Sequence, residues 1–153
     1  MLKTIFYRFT FIFSITSLLS FTSGKPLTDG LTEDILKYTN QFRKSKGLKA
    51  LEIRSDLNAI ARSHSEDMAS GRCSFGHDGY DLRVSKVRKM IKPCDGEVGE
   101  NVAYGARTGK EVFEIWKNSS GHRKNMLGDY KYIGIGTARN RKGVIYYTQI
   151  FAR

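Results

Sequence analysis

At 153 residues, with 26 Lys and Arg against 15 Asp and Glu, the chain has the length of one domain and a net charge of +11. Such a surface attracts anionic partners. No stretch resembles a nucleic-acid-binding module, so DNA and RNA are not expected partners.

Lys3 and Arg8 precede an apolar run from Phe9 to Phe21, and the small residues Thr22, Ser23 and Gly24 follow it. That order is the layout of a secretory signal peptide. The run falls well short of the roughly 20 residues a membrane-spanning helix needs. The expectation is therefore a leader over 1–24 and a mature chain over 25–153, secreted and extracellular, or periplasmic or at the cell surface if the source is bacterial. Taking away Lys3 and Arg8 leaves 24 basic against 15 acidic residues, a charge of +9.

Thr32, followed by Glu33 and Asp34, is positioned to cap a first helix, with Ile35, Leu36 and Phe42 facing inward and Lys46-Gly47 ending it. Ser55 or Asp56 can cap a second helix, in which Leu57, Ile60, Ala61, His64 and Met68 recur at helical spacing until Gly71. His64 then points to the core or its rim, where a histidine usually packs and hydrogen-bonds.

The next stretch, 71–110, is rich in glycine and charge and predicts loops around one short helix near Leu82–Met90. A long irregular segment in a small domain usually has a function. It holds both cysteines, Cys73 and Cys94. In an oxidising compartment they are expected to form a disulfide, stabilising the fold by about 3 kcal/mol; zinc held by both and His77 is the weaker alternative. It also holds the densest basic stretch: Arg83, Lys86, Arg88, Lys89 and Lys92. Arg83, Lys86 and Lys89 would share a helix face, either simply solvated or touching anionic lipid head groups or wall polymers.

Thr108-Gly109-Lys110-Glu111 reads as a capping box leading into Val112, Phe113, Ile115 and Trp116. Ser119 or Ser120 can cap a further short turn that places His122 near its start. The chain then turns to β-branched and aromatic residues. Tyr132–Ile135 and Val144–Phe151 predict two strands joined in a hairpin through Asn140-Arg141-Lys142-Gly143. Gly134 and Gly136 leave one strand face bare, open to a helix. Helices first and strands last give an α+β layered domain.

Three polar stretches stand out: Phe75-Gly76-His77-Asp78, Gly99-Glu100-Asn101-Val102-Ala103 and Ser119-Ser120-Gly121-His122-Arg123. With His64-Ser65-Glu66-Asp67-Met68, Trp116 and Tyr147-Thr148-Gln149-Ile150-Phe151, they make residues 32–152 resemble the CAP superfamily, which includes cysteine-rich secretory proteins, antigen 5 of insect venom and plant pathogenesis-related protein 1. The His64 stretch and Ser119–Leu127 look most like its compact bacterial members.

The resemblance implies a three-layer α-β-α sandwich with an antiparallel central sheet. It also implies a cleft where two histidines and two glutamates face one another and sometimes hold a divalent metal. His77 and Glu100 match the first of each. Ser119 stands where the animal and plant pattern has its second glutamate, and Tyr146 where it has its second histidine. His122 is the candidate replacement, so the expected cleft is His77, Glu100 and His122, with Tyr146 and His64 at its edge. No cofactor is required, and the resemblance makes zinc on His77, Glu100 and His122 a metal set for the cleft.

Three functions follow. The first is a non-enzymatic binder of a small apolar or amphipathic ligand, since family members bind sterols and other lipids. The second is an interaction protein whose basic surface binds anionic membranes or polymers. The third is a hydrolase using His77 and Glu100 as base and orienting group, with or without a metal-bound water. A monomer is expected.

Overall fold

The computed structural model describes residues 27–92 and 96–153. The leader reading over 1–24 and Cys94 lie outside these residues. Helix α1 (Leu27–Ser45) leads through the short strand β1 (Glu52–Ile53) to α2 (Ser55–Ser70) and α3 (Tyr80–Met90). Strand β2 (Gly99–Tyr104) is followed by α4 (Gly109–Asn118) and α5 (Ser120–Met126), then by the hairpin β3 (Tyr132–Arg139) and β4 (Ile145–Ala152).

The sheet order is β1-β3-β4-β2. β4 pairs antiparallel with both β3 and β2, while β1 runs parallel to β3 with Ile53 opposite Ile133. The expected all-antiparallel sheet is therefore mixed. The chain passes from α1 to α2 along the outer edge of β3 and runs in the same direction as that strand.

Strand alternation sorts the two faces. Ile133, Ile135, Tyr147 and Phe151 face one way and pack with Ile35, Val112, Phe113, Trp116 and Met126 of α1, α4 and α5. Ile150 and Ala152 join Leu57, Ile60, Ala61 and Val87 of α2 and α3 on the other. The result is the expected α-β-α sandwich.

Gly134 and Gly136 explain how closely α2 sits on the sheet. A Cβ at Gly134 would lie 2.3 Å from the carbonyl carbon of Leu57, and one at Gly136 would lie 2.1 Å from the Arg62 backbone nitrogen. The bare face read in the sequence is the seat of this helix.

Helix ends follow local chemistry with two adjustments. Thr108 Oγ1 accepts from the Glu111 backbone N–H, while the Glu111 carboxylate reaches back to the N–H of Arg107 rather than that of Thr108. α1 begins at Leu27, more than a turn before the expected cap at Thr32, because Leu31 packs against the core and makes the extra turn useful. Gly71, in the left-handed conformation, ends α2 as expected.

Gly136→Ala should destabilise the protein by about 3 kcal/mol or more in urea unfolding, since helix backbone cannot yield as a flexible side chain does. A loss below about 1 kcal/mol would mean that α2 is free to slide on the sheet.

Candidate functional site

β2 is an outer strand of the sheet, and the site is built along it. Glu100 projects from β2 to the α2–α3 side and is buried. Its carboxylate is fully engaged. Arg83 donates Nε to Oε2 at 2.6 Å and Nη2 to Oε1 at 2.7 Å, and His77 donates Nδ1 to Oε1 at 2.8 Å. A forked guanidinium on a carboxylate is the geometry that best compensates a buried negative charge.

The loop carrying His77 is held from two sides. Arg83 Nη1 donates to the Asp78 carbonyl at 2.7 Å, and buried His64 donates Nε2 to the Gly76 carbonyl at 2.8 Å. A carbonyl can only accept, so the His64 proton sits on Nε2, which also lies 3.9 Å from Glu100 Oε1. Gly76 itself has φ +149°, a conformation that side chains disfavour. His64 is thus a loop anchor, as its place on the α2 stripe suggested.

With Nδ1–H committed to Glu100, Nε2 is the ring nitrogen of His77 left for another partner, and the side chain is half exposed. His122 comes from α5, on the opposite side of β2, and is half-buried. Its Nδ1 is buried without a hydrogen-bond partner. Burial, followed by the charge of His77, lowers its pKa below 6.5. The structure therefore brings His77, Glu100 and His64 to one place, while His122 lies across β2, near enough to His77 for its charge to act but hydrogen-bonded to none of the other three.

Tyr146 joins through its ring rather than as a substitute histidine. It stacks on its cross-strand partner Tyr104 at 5.7 Å, and Phe75 meets Tyr104 edge-on at 4.6 Å. Phe75 is 47% and Tyr104 54% exposed, an open aromatic surface beside His77. From Tyr104 a groove of about 620 Å³ continues along α4, lined by Ala106, Thr108, Lys110 and the 46% exposed Ile115.

A polar network behind β2 sets the position of α5. Asn125 Nδ2 donates to the Glu100 carbonyl and to Asn101 Oδ1. Asn101 Nδ2 in turn donates to the His122 carbonyl and to Gln149 Oε1, and Gln149 Nε2 reaches Thr39. The Tyr80 hydroxyl donates to the Val98 carbonyl, and Trp116 Nε1 to that of Val102 at 3.1 Å. Ser119 is the N-cap residue of α5 by position, with no cap bond from its side chain.

Arg83 was expected on a solvated basic face. It is instead buried and paired, leaving Lys86 and Lys89 exposed on that helix. Its position also bears on the metal set. Among the described residues no three His, Cys, Asp or Glu side chains converge to hold an ion. Both Glu100 oxygens face a fixed cation, so His77, Glu100 and His122 in this arrangement do not fit zinc. Cys73 is half-buried, with its thiol pKa raised by burial. The disulfide expectation depends on Cys94, outside the described residues.

Residues 36–151 match the profile described as "CAP: Cysteine-rich secretory protein family". The chain is 36% identical over 129 residues to the uncharacterized membrane protein YlbC of Bacillus subtilis, covering 79% of this chain and 34% of that protein. It is 33% identical over 117 residues to the uncharacterized protein YkwD of the same organism, covering 75% and 45%. An extracellular protein containing a SCP domain from Bacillus anthracis superposes with a TM-score of 0.70 at 29% identity, covering 82% of this chain and 41% of that one. The chain spans less than half the length of each of these three proteins.

Two outcomes are expected. Arg83→Met should cost about 3–5 kcal/mol by leaving the Glu100 charge buried without its cation, while micromolar zinc leaves the wild-type Tm unchanged; a zinc-dependent rise in Tm would show that the guanidinium yields. The second concerns pH. Burial lowers the pKa of His64 and His122 from 6.5, so the unfolded chain binds more protons below that value. Stability should therefore fall as pH drops from about 7 through 6.5 towards the depressed folded values, and His122→Asn should flatten that slope in urea titrations.

Proposed function

The chain belongs to the cysteine-rich secretory protein (CAP) family, and from that premise we propose that it is an extracellular, non-enzymatic binding domain for a small amphipathic ligand. The observation that carries this reading is the continuous surface from His77 through Phe75, Tyr104 and Tyr146 into the groove beside Ile115. It offers a polar end and a track in which Tyr104, Ala106 and Ile115 lie beside Lys110, Glu111 and Glu114, and the groove's volume falls in the range of small-molecule sites. Extracellular placement is supported by the signal-like N-terminus and by the extracellular Bacillus anthracis relative.

Glu100 argues against a catalytic role of its own. A buried carboxylate with both oxygens accepting from the Arg83 guanidinium, and one also from His77, is shielded from a substrate proton. One observation favours a second reading: Glu100 accepts from Nδ1 of a His77 side chain that is half exposed, the arrangement of a general base. A hydrolase would then need a nucleophile or water at Nε2, and its activity would vanish in His77→Ala.

Binding of a dansylated fatty acid, followed by fluorescence, tests the first reading. Tyr104→Ala and Ile115→Glu, both at exposed positions, should weaken it about tenfold, the loss of one good apolar contact in the groove. Wild-type affinity in both variants would move the ligand elsewhere.

A further inference from the structure

The hairpin β3–β4 ends in a basic ridge that the cleft does not use. On one side, between the end of α2 and the hairpin, lies a hollow of about 690 Å³. Arg72, Arg139, Arg141 and Lys142 line it, with Glu66 the one acidic side chain in its wall. On the other side a second hollow of about 330 Å³ lies between Arg107 and the same ridge, with Arg139 and Lys142 common to both and no acidic residue lining it. Five cations thus flank one ridge, and Arg72 alone among them is held by a carboxylate, Asp67 at 2.6 Å.

The ridge is braced before any ligand arrives. Asn140 Oδ1 accepts from the backbone N–H groups of Lys142 and Val144, and its N–H donates to the Val144 carbonyl. Gly143 closes the turn at φ +83°. Arg139 Nη1 donates across the turn to the Gly143 carbonyl at 2.7 Å, which sets the direction of its guanidinium. Less ordering cost remains to be met on binding.

We propose that this ridge is a binding site for a linear, phosphate-bearing polymer that crosses from one hollow to the other. Arginines match phosphate oxygens with a planar fork, and a row of cations on both sides of a crest suits a chain of repeating negative charge. A bilayer is the poorer fit. The large exposed apolar side chains, Ile53, Phe75, Leu82, Met90, Tyr104 and Ile115, all lie outside both walls, so nothing bulky and apolar is offered to a membrane interface here. The site shares Gly105 and Ala106 with the groove along α4, but no residue of the His77 cluster and none of the cations of the ridge is common to both.

Inorganic polyphosphate is the probe, with affinity measured by calorimetry across a salt series on the purified protein. Affinity should fall steeply with salt, and Arg141→Ala with Lys142→Ala should lower the slope of log K against log salt by about 1.5. Lys86→Ala with Lys89→Ala, an equal loss of charge on α3, should leave affinity within about twofold, since net charge alone acts weakly across a screened distance. All four positions are exposed, and near-UV dichroism checks the fold. His77→Ala should bind as wild type, so failure of the cleft reading and of this one remain separable. Equal losses in the two double variants, loss of binding in His77→Ala, or tighter binding to phosphatidylglycerol vesicles than to polyphosphate at equal phosphate would each overturn the proposal.

Discussion

A carboxylate cannot be left bare inside a protein, and the arrangement around Glu100 follows from that constraint. Its charge is met by Arg83 from α3 and by His77 from the loop before it, so satisfying one side chain fixes two segments against β2. Arg83 extends the effect to Asp78 O, and His64 closes the loop from α2 through Gly76 O. Three successive stretches, α2, the His77 loop and α3, are thus joined to β2 at one acidic group. The same bonds that hold the fold here also decide its chemistry: they orient His77, leave its far nitrogen for another partner and occupy the oxygens a metal would need.

The molecule presents two surfaces of different character. Along β2 and α4 it is aromatic and apolar with a histidine at one end. At the tip of the hairpin it is cationic and rigid. The +9 charge of residues 25–153 is therefore not spread as a uniform field, and one of its densest sequence runs is less cationic than it reads, since Arg83 turns inward. A buried Arg43, whose guanidinium meets the carbonyls of Lys49, Met126 and Gly128, is a second cation withdrawn from the surface.

Much of this was readable in the sequence, and the boundary is physical. Periodicity placed α2, α4 and the hairpin because each buries a regular stripe, and the glycine pair in β3 announced the helix above it. The resemblance brought His77 and Glu100 together, whereas His122 stays on the far side of β2. Arg83 was missed because a helix face of Arg and Lys looks solvated until one knows that a carboxylate waits beneath it. Asn101, Asn125 and Gln149 sat inside the matching stretches without an assigned role, since an amide gives no sign in sequence of which carbonyl it will meet. Tyr146, standing where the pattern has a histidine, acts through ring stacking, a partnership that requires knowing the register of β2 on β4. The two-residue β1 is too short to carry an alternation pattern, and with it the mixed character of the sheet went unread.

The bonds from Tyr80, Asn125 and Trp116 go to the carbonyls of Val98, Glu100 and Val102, every second residue from just before β2 into it. Those are acceptors on the side of the strand turned away from β4, where an incoming chain would otherwise continue the ladder. Each is already taken by a side chain from a different helix. An outer strand that carries a site must stay reachable by ligand yet refuse a second copy of itself, because open edges invite intermolecular pairing. Here the refusal is built from the same helices that shape the cleft, so a change that loosens α3 or α5 would be expected to surface first as self-association.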